Sequence, residues 1–318
     1  MTQQEQMDLR AVMVQSFIDA VESGMNVAVV VSDSTSTAKI APFIERFPDR
    51  LINVGIAEQN LVSVAVGLSL GGYVAVTANA APFLMARANE QVKNDVCYSQ
   101  ANVKLVGLNA GVSYGPLAST HHAIDDISIM RGLGDIIILA PADPVETRRI
   151  FEFALNHIGP VYIRMDNAKF PTLYDEDYQF ELGRVSVLRQ GSDITICALG
   201  SVVHEAFEAA RQLENQSVDT EVVNVSSIRP MDRTGIAESI RKTKKVITVE
   251  EHTLSGGLGS LVCEIIAEEK LNAQIVRLGI TEGQFSKAGP RTEIRAYYKI
   301  DKNGIVETAK RMIADNPS

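Results

Sequence analysis

Short, wholly apolar runs punctuate this chain, and they constrain its fold more than any other feature. Val27–Val31 is the clearest, five consecutive apolar residues. Such a run is too short to span a membrane and too continuous for a sheet with one wet face. It suits a strand covered on both sides, as in a parallel sheet. The same signal recurs at 73–77, 103–108, 136–139 and 161–164, with helical spacing between, at 9–23, 58–71, 82–97 and 143–157. Asp143-Pro144 predicts a helix start, since Asp caps and Pro suits the first turn. The pattern lapses from about 165 and resumes with strands near 193–198, 218–225, 245–250 and 274–278. Helical stretches at 201–213, 234–242, 258–270 and 303–314 alternate with them. The expected fold class is α/β, two doubly wound domains at 1–170 and 185–318, with residues 171–184 as an extended linker.

Composition narrows the function. With 318 residues, 46% hydrophobic and 22% charged, the chain is an ordinary globular protein. Its formal net charge of -9 opposes nucleic acid and anionic lipid as partners. The polar start, MTQQEQMDLR, lacks the order of a secretion signal. Cys97, Cys197 and Cys263 are scattered and odd in number, which fits reduced thiols in the cytoplasm and gives no metal-ligand spacing.

Open α/β sheets bind ligands at the carboxyl ends of their strands, so those positions are read first. Glu58, in Gly55-Ile56-Ala57-Glu58-Gln59-Asn60, starts a helix just beyond a strand. The helix that follows is apolar on most faces, which predicts burial all round and a desolvated carboxylate with raised proton affinity. Its small residues Ser63, Ala65, Gly67 and Gly71 permit close helix–helix approach. A charge that merely complements the helix dipole is the alternative, and the residues leave both open. Phe83, near the start of the next helix, reads more readily as core. The loop Gly111 to His122 carries two adjacent histidines, which point differently and so do not share a metal. One of them can do acid–base work or position a hydroxyl; a simple loop histidine is equally consistent. Arg164 ends a strand and suits either a phosphate or a salt bridge. Gly256, Gly257 and Gly259 read as a structural turn, since no Gly-Lys-Ser/Thr follows.

Together these segments resemble the transketolase family, over nearly the whole chain. GIAEQN at 55–60 is similar to the family's cofactor-glutamate motif, APFLMARANEQVKND at 81–95 to the following helix, and THHAIDDISIMR at 120–131 to the histidine loop. SSIRPMD at 226–232, then VITVEEH and GGLGS, resemble the family's C-terminal domain. The resemblance implies a pyrimidine-binding domain followed by a transketolase C-terminal-like domain, and thiamine diphosphate with magnesium or another divalent cation. It carries the glutamate that bonds N1′ of the aminopyrimidine to Glu58, ring stacking to Phe83, the cofactor lining to Asp33 and sugar-hydroxyl binding to His121. Arg164, Arg10 and Thr37 correspond to the substrate-phosphate side. The family's Gly-Asp-Gly…Asn metal motif is missing: Gly134-Asp135 is followed by Ile136. The resemblance therefore implies a separate, diphosphate-binding N-terminal subunit that holds the metal, in a heterotetramer, acting on sugar phosphates by glycolaldehyde transfer.

Three departures from the family pattern bear on specificity. Ala80 and Ala86 stand where two aromatics are usual, Leu117 where an Asp is, and Asn109 where a His is. They point to a modified or branched sugar phosphate. The rival readings are the β subunit of a 2-oxo acid dehydrogenase, a deoxyxylulose-phosphate synthase fragment, and a non-catalytic regulatory subunit of the same fold. THH and KAGPRTEI favour transketolase over the first, and retention of Glu58 and His121 argues against the last.

Overall fold

The structure is a computed structural model that describes residues 6–281 and 285–314. In chain order its strands are β1 (Met7–Asp8), β2 (Val27–Val31), β3 (Leu51–Asn53), β4 (Val74–Ala80), β5 (Val103–Leu108), β6 (Ile137–Leu139) and β7 (Val161–Arg164). There follow β8 (Lys169–Phe170), β9 (Ser186–Arg189), β10 (Ile194–Ala198), β11 (Thr220–Asn224), β12 (Ser227–Arg229), β13 (Lys245–Thr253) and β14 (Gln274–Ile280). The expected strands are covered end to end: every residue of β2, β5, β7 and β10 is buried, Lys104, Arg164 and Thr195 included.

Two main sheets result. The first has the order β12-β6-β7-β5-β4-β2-β3, and the second β14-β13-β10-β11-β9. Neighbours are parallel except at two edges, where β12 pairs antiparallel with β6 and β9 with β11. This is the expected α/β class. Strand β12 was not anticipated: it lies within the stretch assigned to the second domain, yet it completes the first sheet. One apolar cluster joins the two units, running from Leu61, Leu84 and Tyr162 to Val223, Ile236 and Leu258. Two further clusters cover the outer faces, around Phe17, Phe43 and Phe151 and around Val203, Ile247 and Ile305.

Helix boundaries follow local chemistry. Asp143 caps the Pro144–Asn156 helix, its carboxylate accepting from the Glu146 N–H at 2.7 Å. The other oxygen takes the N–H groups of Leu173 (2.6 Å) and Tyr174 (3.0 Å), so the expected linker is pinned there. The single helix expected at 82–97 is instead broken, into Ala81–Arg87, Asn89–Gln91 and a π-helical Val92–Tyr98. The Glu58–Leu70 helix was expected to be covered all round. Only Glu58, Leu61, Val62 and Ala65 are buried, and Leu70 is 83% exposed. Ile56 and Tyr98 also stand in solvent. Among the described residues no helix is long and apolar enough to cross a membrane.

Candidate functional site

From β2 the chain moves outward to β3, then returns to the other side of β2 as β4. That reversal opens a crevice at the carboxyl ends of β2 and β4, the place where such sheets take ligands. Gly55, at φ 72°, turns the chain out of β3 so that a helix can start at Glu58. The Asn53 amide oxygen ties this turn to the end of β2, accepting from Gly55 (3.0 Å) and Asp33 (3.1 Å). Asp33 itself is exposed, in a left-handed conformation at φ 56°.

Glu58 is buried, 5% exposed. It has partners there that the sequence did not disclose. Ser32 donates to one carboxylate oxygen at 3.3 Å and Arg87 to the other at 3.1 Å. A cavity of about 440 Å³ opens over this pair, lined by Ile56, Ala57, Glu58, Gln59 and Arg87. The Arg87 guanidinium also lies 4.4 Å from the centre of the Phe83 ring, so Phe83 is half-buried beside the acid rather than in the core.

His121 continues the row. Its ring meets Phe83 edge-on at 5.2 Å and Tyr114 at 5.4 Å. The Thr120 hydroxyl engages Nδ1 at 2.9 Å, which leaves Nε2 as the nitrogen open to a ligand. His122 points away, as expected, and is buried among protein groups. Burial raises the Tyr114 hydroxyl, against the opposing pull of Asn109, Thr37 and Arg10 beside it. Arg10 reaches the Thr37 carbonyl at 3.2 Å. Arg10 and Lys39 both rest on Asp8, so two cations share one carboxylate and this corner keeps a surplus positive charge.

The structure thus links Glu58, Phe83, His121, Thr37 and Arg10 in one row of contacts through Arg87 and Tyr114, while Asp33 stands exposed at the end of β2. It does not bring Arg164 there. That side chain is 6% exposed and ion-paired with Asp126 at 2.9 Å. Its Nη2 donates to the Ala123 and Glu251 carbonyls at 3.1 and 2.9 Å. With its Nε and Nη2 donors turned inward, Arg164 braces the loop against the second unit, and these protein groups occupy the donors that the sequence reading offered to a phosphate. Sequence reasoning missed Arg87 and Tyr114 as site members. Arg87 had a signal, a charge on an apolar helix; Tyr114 had none beyond its place in the loop.

The residues fit a bound aminopyrimidine: a buried carboxylate beside an aromatic ring can hold a ring nitrogen and a ring face together. Among the described residues, no three His, Cys, Asp or Glu side chains are grouped to hold a metal.

Residues 5–171 match the model of the transketolase pyrimidine binding domain, and 183–305 that of the transketolase C-terminal domain. The chain is 54% identical to an apulose-4-phosphate transketolase subunit of Actinobacillus succinogenes, over 95% of this chain and 97% of that protein. It is 34% identical to the protein of the same name from Phocaeicola vulgatus, over 94% and 95%. Among solved structures it resembles a split gene transketolase, described as an inactive β4 tetramer. That match has a TM-score of 0.87 and 34% identity, covering 98% of this chain and 99% of the other.

Proposed function

This chain belongs to the transketolase family, and from that premise we propose that it is one subunit of a two-chain enzyme of thiamine-diphosphate-dependent ketol transfer. The observation that carries the reading is the buried Glu58 carboxylate, set beside Phe83 and His121 in the strand-end crevice. When bound, thiamine diphosphate would supply a nucleophilic carbon and a sink for the electrons of the broken C–C bond. Glu58 then holds a proton at the pyrimidine nitrogen, Phe83 covers a ring face, and Asp33 lines the rim. His121 hydrogen-bonds the sugar hydroxyls through Nε2. The surplus positive charge of Arg10 and Lys39 attracts the substrate phosphate, with Thr37 beside them. A divalent cation and the diphosphate fall to an N-terminal subunit.

The exposed side of the Glu58–Leu70 helix, where Ser63 and Gly67 are small and Leu70 stands in solvent, supports close approach by another chain, in keeping with a heterotetramer. The split-gene relative is described as an inactive β4 tetramer. We expect the same here: the purified chain shows no transfer, and adding its diphosphate-binding subunit restores it. Turnover by the chain alone would defeat the two-chain reading. Free, scattered cysteines support a cytoplasmic setting.

For the donor we propose a branched ketose phosphate of the kind named in the Actinobacillus and Phocaeicola relatives. The small Ala80 and Ala86 in place of larger rings support it. Assay of the reconstituted pair with a donor panel should show higher kcat/KM for the branched ketose phosphate than for unbranched pentulose phosphates. Preference for pyruvate or a branched 2-oxo acid would overturn the assignment.

A further inference from the structure

We propose that the second α/β unit sets the His121 loop in place, with Ser286 and Glu251 as positioning residues. The inference rests on the reading of His121 as a substrate-binding residue. The loop leaves β5 at Asn109 and reaches His121 only after crossing onto the second unit. At its start, the Val112 N–H donates to Glu251 Oε2 at 3.2 Å. Gly111, at φ 64°, lies so close to that carboxylate that a side chain there would collide with it. Glu251 is itself held by Arg291 (2.7 Å) and Arg295 (2.5 Å). At the loop's end, the Ile124 carbonyl accepts from the Thr253 N–H at 2.7 Å.

Between these anchors lies the third contact. His122 is 3% exposed and spans from Gly115 to Ser286. Its Nε2 donates to the Gly115 carbonyl at 3.0 Å, so Nδ1 accepts from the Ser286 hydroxyl at 2.5 Å. Ser119 donates to the Ser286 carbonyl at 3.1 Å. A single serine of the second unit thus grips the loop on both sides of His121.

The backbone between shows why such a grip is needed. Ala118 sits at φ 58°, ψ -155°, a region that glycine alone occupies comfortably. The N–H groups of both His121 and His122 donate to its carbonyl, at 2.9 and 3.0 Å. The strained residue therefore sets the direction of His121. Strain of this kind persists only where the surroundings over-determine it, and here those surroundings are Glu251, Thr253 and Ser286. Without them, the His121 ring loses its fixed place against Phe83 and Tyr114.

The test compares Ser286→Ala, Ser286→Thr and His121→Ala, each in the full chain and reconstituted with the diphosphate-binding subunit. In Ser286→Ala, amide hydrogen exchange across 112–124 should quicken, and KM for the ketose phosphate should rise by about tenfold with kcat little changed. Ser286→Thr, which keeps the hydroxyl, should restore both. Unchanged exchange, or quicker exchange with an unchanged KM, overturns the positioning role. The His121→Ala variant separates the two readings. If its KM rises while that of Ser286→Ala does not, the positioning inference fails alone. If its own KM is unchanged, the substrate role of His121 fails.

Discussion

Replacing Glu58 by Ala should lower turnover of the reconstituted enzyme by about 10²–10⁴-fold, the range for loss of a positioned proton-transfer group. Assembly should survive. The carboxylate is buried, and of the two groups that it leaves behind the charged one is not stranded. Arg87 is 51% exposed and can turn to water. Ser32 loses one long hydrogen bond of 3.3 Å. The loss therefore falls on chemistry and not on folding. Glu58→Gln sharpens the test, because it keeps the size and a polar contact but cannot take up the proton. Steady-state kinetics and size-exclusion chromatography of the same preparations read both effects. Turnover within a few-fold of wild type would remove Glu58 from the mechanism.

Glu251→Ala should act on the fold as well as on the loop that it positions. Arg291 and Arg295 both bond to Glu251, and their side chains are 16% and 8% exposed. Removing one member of a buried ion cluster leaves charge uncompensated, at a cost of about 3–5 kcal/mol. Urea unfolding should show it as a lower midpoint; an unchanged midpoint would mean that the cluster is not structural. The cluster also makes stability depend on acid. Burial alone would raise the Glu251 carboxyl, but Arg291 and Arg295 outweigh it and hold the group down at about 2, below its ordinary 4.5. Asp166 is likewise held well below the usual carboxylate range, burial being outweighed by Arg291. The unfolded chain therefore binds more protons than the folded one between these values. This stabilisation is complete above pH 4.5 and is lost as the pH falls toward 2. Glu251→Gln should flatten that slope in acid unfolding curves.

The sequence revealed what depends on neighbours along the chain. The strands could be read because parallel sheets demand near-continuous apolar runs: β2 is wholly apolar, β5 is broken by Lys104, and β7 is apolar up to Arg164. Glu58 could be found because a strand, a glycine turn and a helix start stand in order. What depends on distant partners could not be read. Arg164 looks like a phosphate ligand until Asp126, 38 positions away, is seen against it. Arg87 looks like a surface charge until the chain folds it over Phe83 and onto Glu58. The two-residue β1 and three-residue β12 are too short for any periodicity to register. The Glu58–Leu70 helix was misjudged for another reason. Its composition suits a covered helix, and within a single chain one side of it stays bare.

The crossing of β12 into the first sheet limits how this molecule could be dissected. A fragment ending near residue 184 would keep β6 but lose the strand that closes it, baring its backbone N–H and C=O groups to other chains. The complementary fragment would carry Ser227–Arg229 with nothing to pair against. The two units thus share a strand as well as an apolar seam, and expression of either piece alone invites aggregation.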